Sequence, residues 1–323
     1  MKDGTGRNIE YLRISVTDRC NFRCVYCMPQ SGMEWLPREG ILSATEIHDV
    51  VAQLAPLGLR RIRVTGGEPT LRTDLCDIIA RLRSVPGIQD IALSTNGVKL
   101  EAMASALRAA GVDRLNLSVD SLRADRIVAI ARRDLGLDPR RVLRAAIGAG
   151  FDPVKVNTVV VRGVNDDEIG ELARLTLELP VHVRFIELMP VGDMSETGFD
   201  HVVASEDVLE AASAELGPLV PDVGPAGNGP ARYFRAPGAP GTIGVITPMT
   251  HTYCASCNRV RLTADGRLRT CLFGDHEVDL RTPLRAGIAL EPFFVQTIAD
   301  KPREHALLQL RTGGLRALSQ TGG

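Results

Sequence analysis

The chain has 323 residues, 44% hydrophobic and 24% charged, which excludes wholesale disorder and allows two domains or one barrel with an extension. Its 38 basic and 39 acidic side chains leave a formal net charge of -1, which removes a global case for binding nucleic acid or an anionic membrane. No apolar run reaches the roughly 18 residues of a membrane span, and Met1–Arg7 lack the apolar stretch of a signal peptide, so a cytoplasmic protein is expected.

In chain order, β-rich runs fall at Leu12–Thr17, Arg61–Gly66, Asp90–Thr95, Arg114–Asp120, Val154–Val161 and Val181–Leu188. Segments with helical spacing lie between and after them. The first carries Ile47, Val50, Val51, Leu54 and Leu57 after Ser43, an N-cap with Glu46 three residues on. Others run over Leu75–Arg83, Glu101–Ala110, Arg140–Ala149, Asp167–Glu178 and Glu206–Leu216, with Gly111 and Gly150 where C-caps belong. Six strand–helix units imply a parallel sheet, either an open, incomplete barrel or a doubly wound sheet. Gly217–Ala231, rich in proline and glycine, reads as a linker. The 90 or so residues after it do not repeat the pattern.

Six of the seven cysteines form two groups of three, and an odd total without a signal peptide reads as metal ligands rather than disulfides. Cys20, Cys24 and Cys27 have the spacing C-x3-C-x2-C directly after the first strand. Three thiolates on a four-iron cluster leave one iron open to a small molecule, whereas zinc usually wants four ligands and no His lies in this loop. Cys254, Cys257 and Cys271 give C-x2-C-x13-C. On spacing alone this second group is as well read as zinc with His251 or His276. Cys76 sits on the apolar side of a helix and reads as a small buried hydrophobe.

The first cysteine spacing, with Tyr26 before the third Cys, and Gly66-Gly67-Glu68-Pro69 at the end of the second strand resemble the radical S-adenosylmethionine (SAM) superfamily. Further segments narrow the resemblance to the GTP 3′,8-cyclase family of molybdenum cofactor biosynthesis. They are Asp18–Cys27, Ser94-Thr95-Asn96-Gly97, Ser118-Val119-Asp120-Ser121, Lys155-Val156-Asn157-Thr158, Arg184-Phe185-Ile186-Glu187-Leu188-Met189 and the C-terminal cysteines. The likeness covers nearly the whole chain.

That resemblance implies an incomplete (β/α)6 TIM-like barrel over residues 1–220 and a C-terminal domain over 221–323 carrying a second [4Fe-4S] cluster. It implies SAM contacts at Tyr26, Gly67, Ser118 and Met189. GTP contacts would fall on Arg13, Arg63, Ser94 (where the family is expected to have Thr), Lys155, Arg259, Val260 and Arg261, with Arg184 and Asn157 as further contacts. Arg13, Lys155, Gly322 and Gly323 would take part in catalysis, the Gly-Gly end as a tail slim enough to reach the site. Lys155 is one of only four lysines among 38 basic residues, so it is less easily a compositional accident than any arginine. The candidate polar residues are expected at or past the C-terminal ends of strands, the face where barrels build sites. Alternation puts Arg259 and Arg261 on one strand face, suited to a phosphorylated ligand beside an open cluster.

The implied reaction is SAM-dependent radical cyclisation of GTP to (8S)-3′,8-cyclo-7,8-dihydro-GTP. It implies an electron donor and the downstream cyclic pyranopterin monophosphate synthase as partners, is compatible with a homodimer, and gives no role to nucleic acid or membrane. The alternative is a radical SAM peptide-modifying enzyme with an auxiliary cluster, a class that usually carries more C-terminal cysteines.

Overall fold

The computed structural model describes residues 1–189, 198–225, 227, 229–274, 276–305 and 318–321. The first six strands are β1 (Tyr11–Ser15), β2 (Arg61–Thr65), β3 (Asp90–Thr95), β4 (Arg114–Ser118), β5 (Val154–Val160) and β6 (Val181–Glu187), parallel and paired in sequence order. Between them lie α1 (Ala44–Leu54), α2 (Leu75–Ser84), α3 (Leu100–Ala110), α4 (Ala124–Ala131), α5 (Pro139–Gly148) and α6 (Ile169–Glu178). The expected start of α1 is present as a capping box: Glu46 N–H donates to Ser43 Oγ and Ser43 N–H to Glu46 Oε2. Gly111 ends α3 at φ 113°, where a side chain would be strained. Helix α4 was not foreseen, because its short apolar stripe merges with the loop after Ser121.

After α7 (Ser205–Leu216) the chain visits both edges of this sheet. Strands β7 (Val220–Asp222), β8 (Arg232–Arg235) and β9 (Thr242–Ile246) join at β6, with β9 parallel to it. Strands β10 (Arg259–Leu262), β11 (Arg267–Arg269) and β12 (Glu277–Asp279) join at β1, with β10 parallel to it. Helices α8 (Arg281–Arg285) and α9 (Glu291–Ala299) follow, and α10 (Leu318–Thr321) comes last. The described strands make one open sheet ordered β12-β11-β10-β1-β2-β3-β4-β5-β6-β9-β8-β7, an incomplete barrel whose six central units are the expected ones. The Gly217–Ala231 stretch is therefore more than a linker. It contains β7, and the backbone at Gly227 comes so close to Arg114 and Lys155 that a Cβ there would overlap both side chains.

Strand alternation explains the fold's polarity. Leu12, Ile14, Ile62, Val64, Ile91, Leu93, Leu115, Leu117, Val154, Val156, Val181 and Val183 are all sealed in one continuous core on one face of the sheet. Burial of apolar surface at roughly 25 cal/mol per Å² makes this face the main source of stability. The intervening positions carry Arg13, Arg63, Ser94, Arg114, Asn116, Ser118, Lys155, Asn157 and Arg184 on the opposite face. An ordinary barrel fills its interior with branched apolar side chains. This one lines it with polar and cationic groups.

Candidate active site

The first cysteine loop leaves β1 and is pressed onto the segment after β2. Gly67 N–H donates to the Thr17 carbonyl at 2.8 Å and Glu68 N–H to the Arg19 carbonyl at 2.8 Å. A Cβ on Gly67 would run into the carbonyls of Asp18 and Arg19, so this approach needs glycine. Fully buried Asp18 takes the Leu36 N–H at 2.7 Å and closes the loop. On its other side the loop is held by α4, through Arg23 N–H to the Ala131 carbonyl and Val25 N–H to the Ile130 carbonyl.

Burial, with Glu68 and Cys27 nearby, pushes the Cys20 thiol up to about 12, and burial with Asp120 and the other two cysteines raises Cys24 well above its usual value. Such thiols become thiolates when cationic iron is bound beside them. Backbone N–H groups of Phe22 and Asn21 already point at the Cys20 sulfur. The donor set thus fits a cluster: three cysteines within electrostatic reach of one another and preformed N–H···S contacts at Cys20. Among the described residues no three His, Cys, Asp or Glu side chains converge as they would on a single ion.

Tyr26 donates to Asp120 Oδ2 at 2.5 Å, and Asp120 Oδ1 accepts from Val159 N–H at 2.9 Å. Burial raises the Asp120 carboxyl to about 6 against the pull of those hydrogen bonds. Asp120 therefore locks the cysteine loop to the ends of β4 and β5. Glu68 is equally satisfied, accepting from Thr70, Thr95 Oγ1 and Asn96 N–H.

A cavity opens above these groups. It is lined by Cys20, Cys24, Cys27 and all four expected SAM residues, Tyr26, Gly67, Ser118 and Met189, together with Ser94 and Asn157. Leu318 of α10 also reaches it. Leu318 and Met189 pack in turn with Cys271 around Phe273, so the apolar contact under the second cysteine group is continuous with the first cavity.

The basic candidates form a second layer within the barrel. Register places Arg13 opposite both Arg63 and Arg261, Lys155 opposite Asn116, and Arg184 opposite Asn157. This corrects the expectation that all candidates lie at C-terminal strand ends. Arg13 and Arg63 are in mid-strand and Lys155 is the second residue of β5. The inward alternation runs the whole length of the strands, so the polar channel does too.

Lys155, Arg184 and Arg261 are 3%, 2% and 7% exposed. Burial, then Arg184, Arg114 and Arg63, pushes the Lys155 ammonium down to about 6. Burial brings Arg184 and Arg261 down to about 10, and burial with Arg261 and Arg63 holds Arg13 well below its ordinary range. Arg184 donates to Asn116 Oδ1 and Asn157 Oδ1 at 2.6 and 2.5 Å, yet its Nε, Arg63 Nε and Ser94 Oγ have no hydrogen-bond partner among the described residues. Buried cations crowded together with donors left over suit a polyanion.

The second cysteine group lies beside this layer. Burial pushes the Cys257 thiol up, but Arg259 and Lys301 outweigh it and bring it down to about 7. Arg259 stacks over Tyr253, 4.9 Å from its centroid. Val260 is sealed in the core on the far face of β10, so only its backbone is available to a ligand. His251 sits 3.5 Å from Glu206 and His276 is exposed, so neither joins the cysteines as the zinc alternative requires. Arg261 Nη1 contacts the Thr321 carbonyl at 3.4 Å, which brings α10 to the cationic layer. Gly322 and Gly323 lie outside the described residues. Cys76 is half-buried against the core. Arg114, Asn116 and Asp120 were not singled out from sequence, although the inward alternation Arg114-x-Asn116-x-Ser118 is visible there.

The radical SAM superfamily model matches residues 14–176 and a Molybdenum Cofactor Synthesis C model matches 181–307. The chain is 48% identical to GTP 3′,8-cyclase of Pelotomaculum thermopropionicum over 326 residues and 45% identical to that of Heliobacterium modesticaldum over 328, covering 100% of both chains in each case. Among solved structures, Streptococcus suis SuiB gives a TM-score of 0.61 at 14% identity, covering 98% of this chain and 72% of SuiB. The S-adenosylmethionine-bound SuiB gives 0.58 at 13%, covering 84% of this chain and 63% of that one. At such identities the SuiB likeness speaks to the fold alone. The full-length identities go further, and on them the chain belongs to the GTP 3′,8-cyclase family of radical SAM enzymes.

Proposed function

We propose that this chain cyclises GTP between C3′ and C8, giving 3′,8-cyclo-7,8-dihydro-GTP, with the work divided between the two layers of the channel. The observation that carries the division is the cationic layer of Arg13, Arg63, Lys155, Arg184 and Arg261, the last three of them buried, beneath a cavity lined by three cysteines. Cys20, Cys24 and Cys27 hold one [4Fe-4S] cluster, and Cys254, Cys257 and Cys271 hold the other. SAM occupies the cavity against Tyr26, Gly67, Ser118 and Met189, and when bound at the first cluster it supplies a 5′-deoxyadenosyl radical. The chain's own tasks are binding, orientation and exclusion of water.

Arg13, Arg63, Lys155, Arg259 and Arg261 take the triphosphate, and the guanine lies toward the second cysteine group. Ser94 Oγ, buried and unpartnered among the described residues, donates to or accepts from the nucleoside between the layers. This orientation sets the ribose against the cavity, as proximity requires for hydrogen transfer. Gly322 and Gly323 complete the catalytic set with Arg13 and Lys155. The reading brings with it an electron donor, hand-off to cyclic pyranopterin monophosphate synthase and a cytoplasmic location, where free cysteines stay reduced. No helix among the described residues is long and apolar enough to cross a membrane.

The test is anaerobic. Protein reconstituted with iron and sulfide is given SAM, dithionite and GTP. Mass spectrometry is expected to show 5′-deoxyadenosine together with a GTP isomer of unchanged mass. Deoxyadenosine with GTP unaltered would move the substrate elsewhere.

A further inference from the structure

The turn after α9 is built around two cations that the proposed reaction does not use. Lys301 is 5% exposed, and its Nζ donates to the carbonyl of Arg259 at 3.1 Å and to the carbonyl of Thr270. Arg259 lies two residues after Cys257, and Thr270 immediately precedes Cys271. These segments come from the two arms of the β10–β11 hairpin, whose antiparallel pairs are Arg261 with Arg269 and Leu262 with Leu268. Lys301 thus bridges the arms beyond the last of those pairs, where the cysteines branch off.

The third cysteine is tied to the same turn from the other end of the chain. Arg7 Nη1 donates to the Cys254 carbonyl at 2.8 Å and to the Arg303 carbonyl at 3.1 Å, and Nη2 to the Pro302 carbonyl at 2.7 Å. Asp3, whose carboxylate is sealed from solvent, aims Arg7 through Nε at 2.6 Å. The His305 N–H meets the Cys254 sulfur.

From this geometry we infer that residues 301–305, fastened by Lys301 and Arg7, are the positioning frame of the second iron–sulfur cluster. The frame fixes the spacing of Cys254, Cys257 and Cys271, and its buried ammonium raises that cluster's reduction potential above the value it would have without the charge. Net charge and hydrogen bonding around a cluster are the protein's levers on its potential. Glu68 acts on Cys20 and Asp120 on Cys24 in the first cysteine group, and both are acids. The inference rests on the assignment of the second cluster to these three cysteines.

The experiment uses the full-length, anaerobically reconstituted holoenzyme. Iron content, and the midpoint potential of the EPR signal that SAM does not perturb, are compared for wild type, Lys301→Met and Lys301→Arg. Lys301→Met is expected to shift that midpoint to lower potential or to lose half of the iron, while the SAM-responsive signal is kept. Lys301→Arg, which restores charge and donors, is expected to recover the signal at least in part. Unchanged iron and potential in Lys301→Met would overturn the frame. Should that variant lose the whole fold, Arg7→Gln gives the same readout, and a second signal of normal amplitude and potential there overturns it equally. Cys271→Ala separates the two readings: a second signal that survives it defeats the ligand assignment itself.

Discussion

Lys155 is the residue whose chemistry changes most when the site fills. It faces Arg184 on β6, Arg114 on β4 and Arg63 on β2, with Asp90 pulling the other way. With its ammonium pushed down to about 6, the ligand-free protein holds Lys155 mostly neutral at pH 7.5. A bound triphosphate favours the charged form, so binding takes up a proton between about pH 6 and the ordinary lysine value of 10.5. Calorimetry of GTP binding in buffers of low and high ionisation enthalpy is expected to show that uptake, and Lys155→Met to abolish it. Losing one charge-assisted contact of about 1.5–3 kcal/mol should weaken GTP binding by roughly tenfold to a hundredfold. The same depression acts on stability. The unfolded chain binds the proton over that pH range and the folded protein does not, so the linked stability declines as pH falls from 10.5 toward about 6. Lys155→Met should therefore melt higher than wild type in the absence of GTP. Lysine scarcity made Lys155 legible from sequence. The arginines were not legible in that way, since 34 of them, the 38 basic residues less four lysines, dilute the evidence at any one position.

At the scale of elements, the strands have two chemically opposite faces, and neighbouring residues should respond oppositely to substitution. Val64 is sealed in the core, whereas Arg63 beside it faces the channel and Tyr11. Val64→Asp would bury a carboxylate with no partner and should unfold the protein, a loss of several kcal/mol. Arg63→Met should leave the circular dichroism and melting intact, or raise the melting temperature, while weakening GTP binding. Loss of folding in Arg63→Met would mean that the arginine is structural. The approach of the cysteine loop to β2 gives a further case. Gly67→Ala places a methyl against two backbone carbonyls, so it should cost the first cluster, half of the iron and all deoxyadenosine formation, with the second EPR signal retained. The central strands were legible because each pairs with its sequence neighbour and alternates cleanly. Strand β10 showed itself in the alternation of Arg259 and Arg261, but its pairing with distant β1 and that of β9 with distant β6 were not legible, and the short hairpin strands β8, β11 and β12 carry no local period. Strand β7 hid inside a proline-rich stretch that local rules read as linker.

For the whole molecule, the decisive property is that positive charge is concentrated inside a chain whose net charge is -1. A fold that buries Arg184 and Arg261 in one channel with Arg13 and Arg63 stores repulsion that an anion relieves. Ligands that bind only the folded state stabilise it by mass action, by about 2.7 kcal/mol at roughly a hundred times Kd. Because the repulsion is local to the triphosphate layer, inorganic tripolyphosphate should reproduce much of the melting-temperature rise given by GTP, and guanosine little of it. The rise should shrink with added salt less steeply than for a surface site, since the cations are buried and screened weakly. It should also be blunted in Lys155→Met, which lacks the ammonium that a bound triphosphate draws onto Lys155 by proton uptake. Thermal melts of the anaerobic holoenzyme with each ligand read all of this in one series. A shift with GTP and none with tripolyphosphate would place the phosphates outside the channel and leave the interior cations to some other anion.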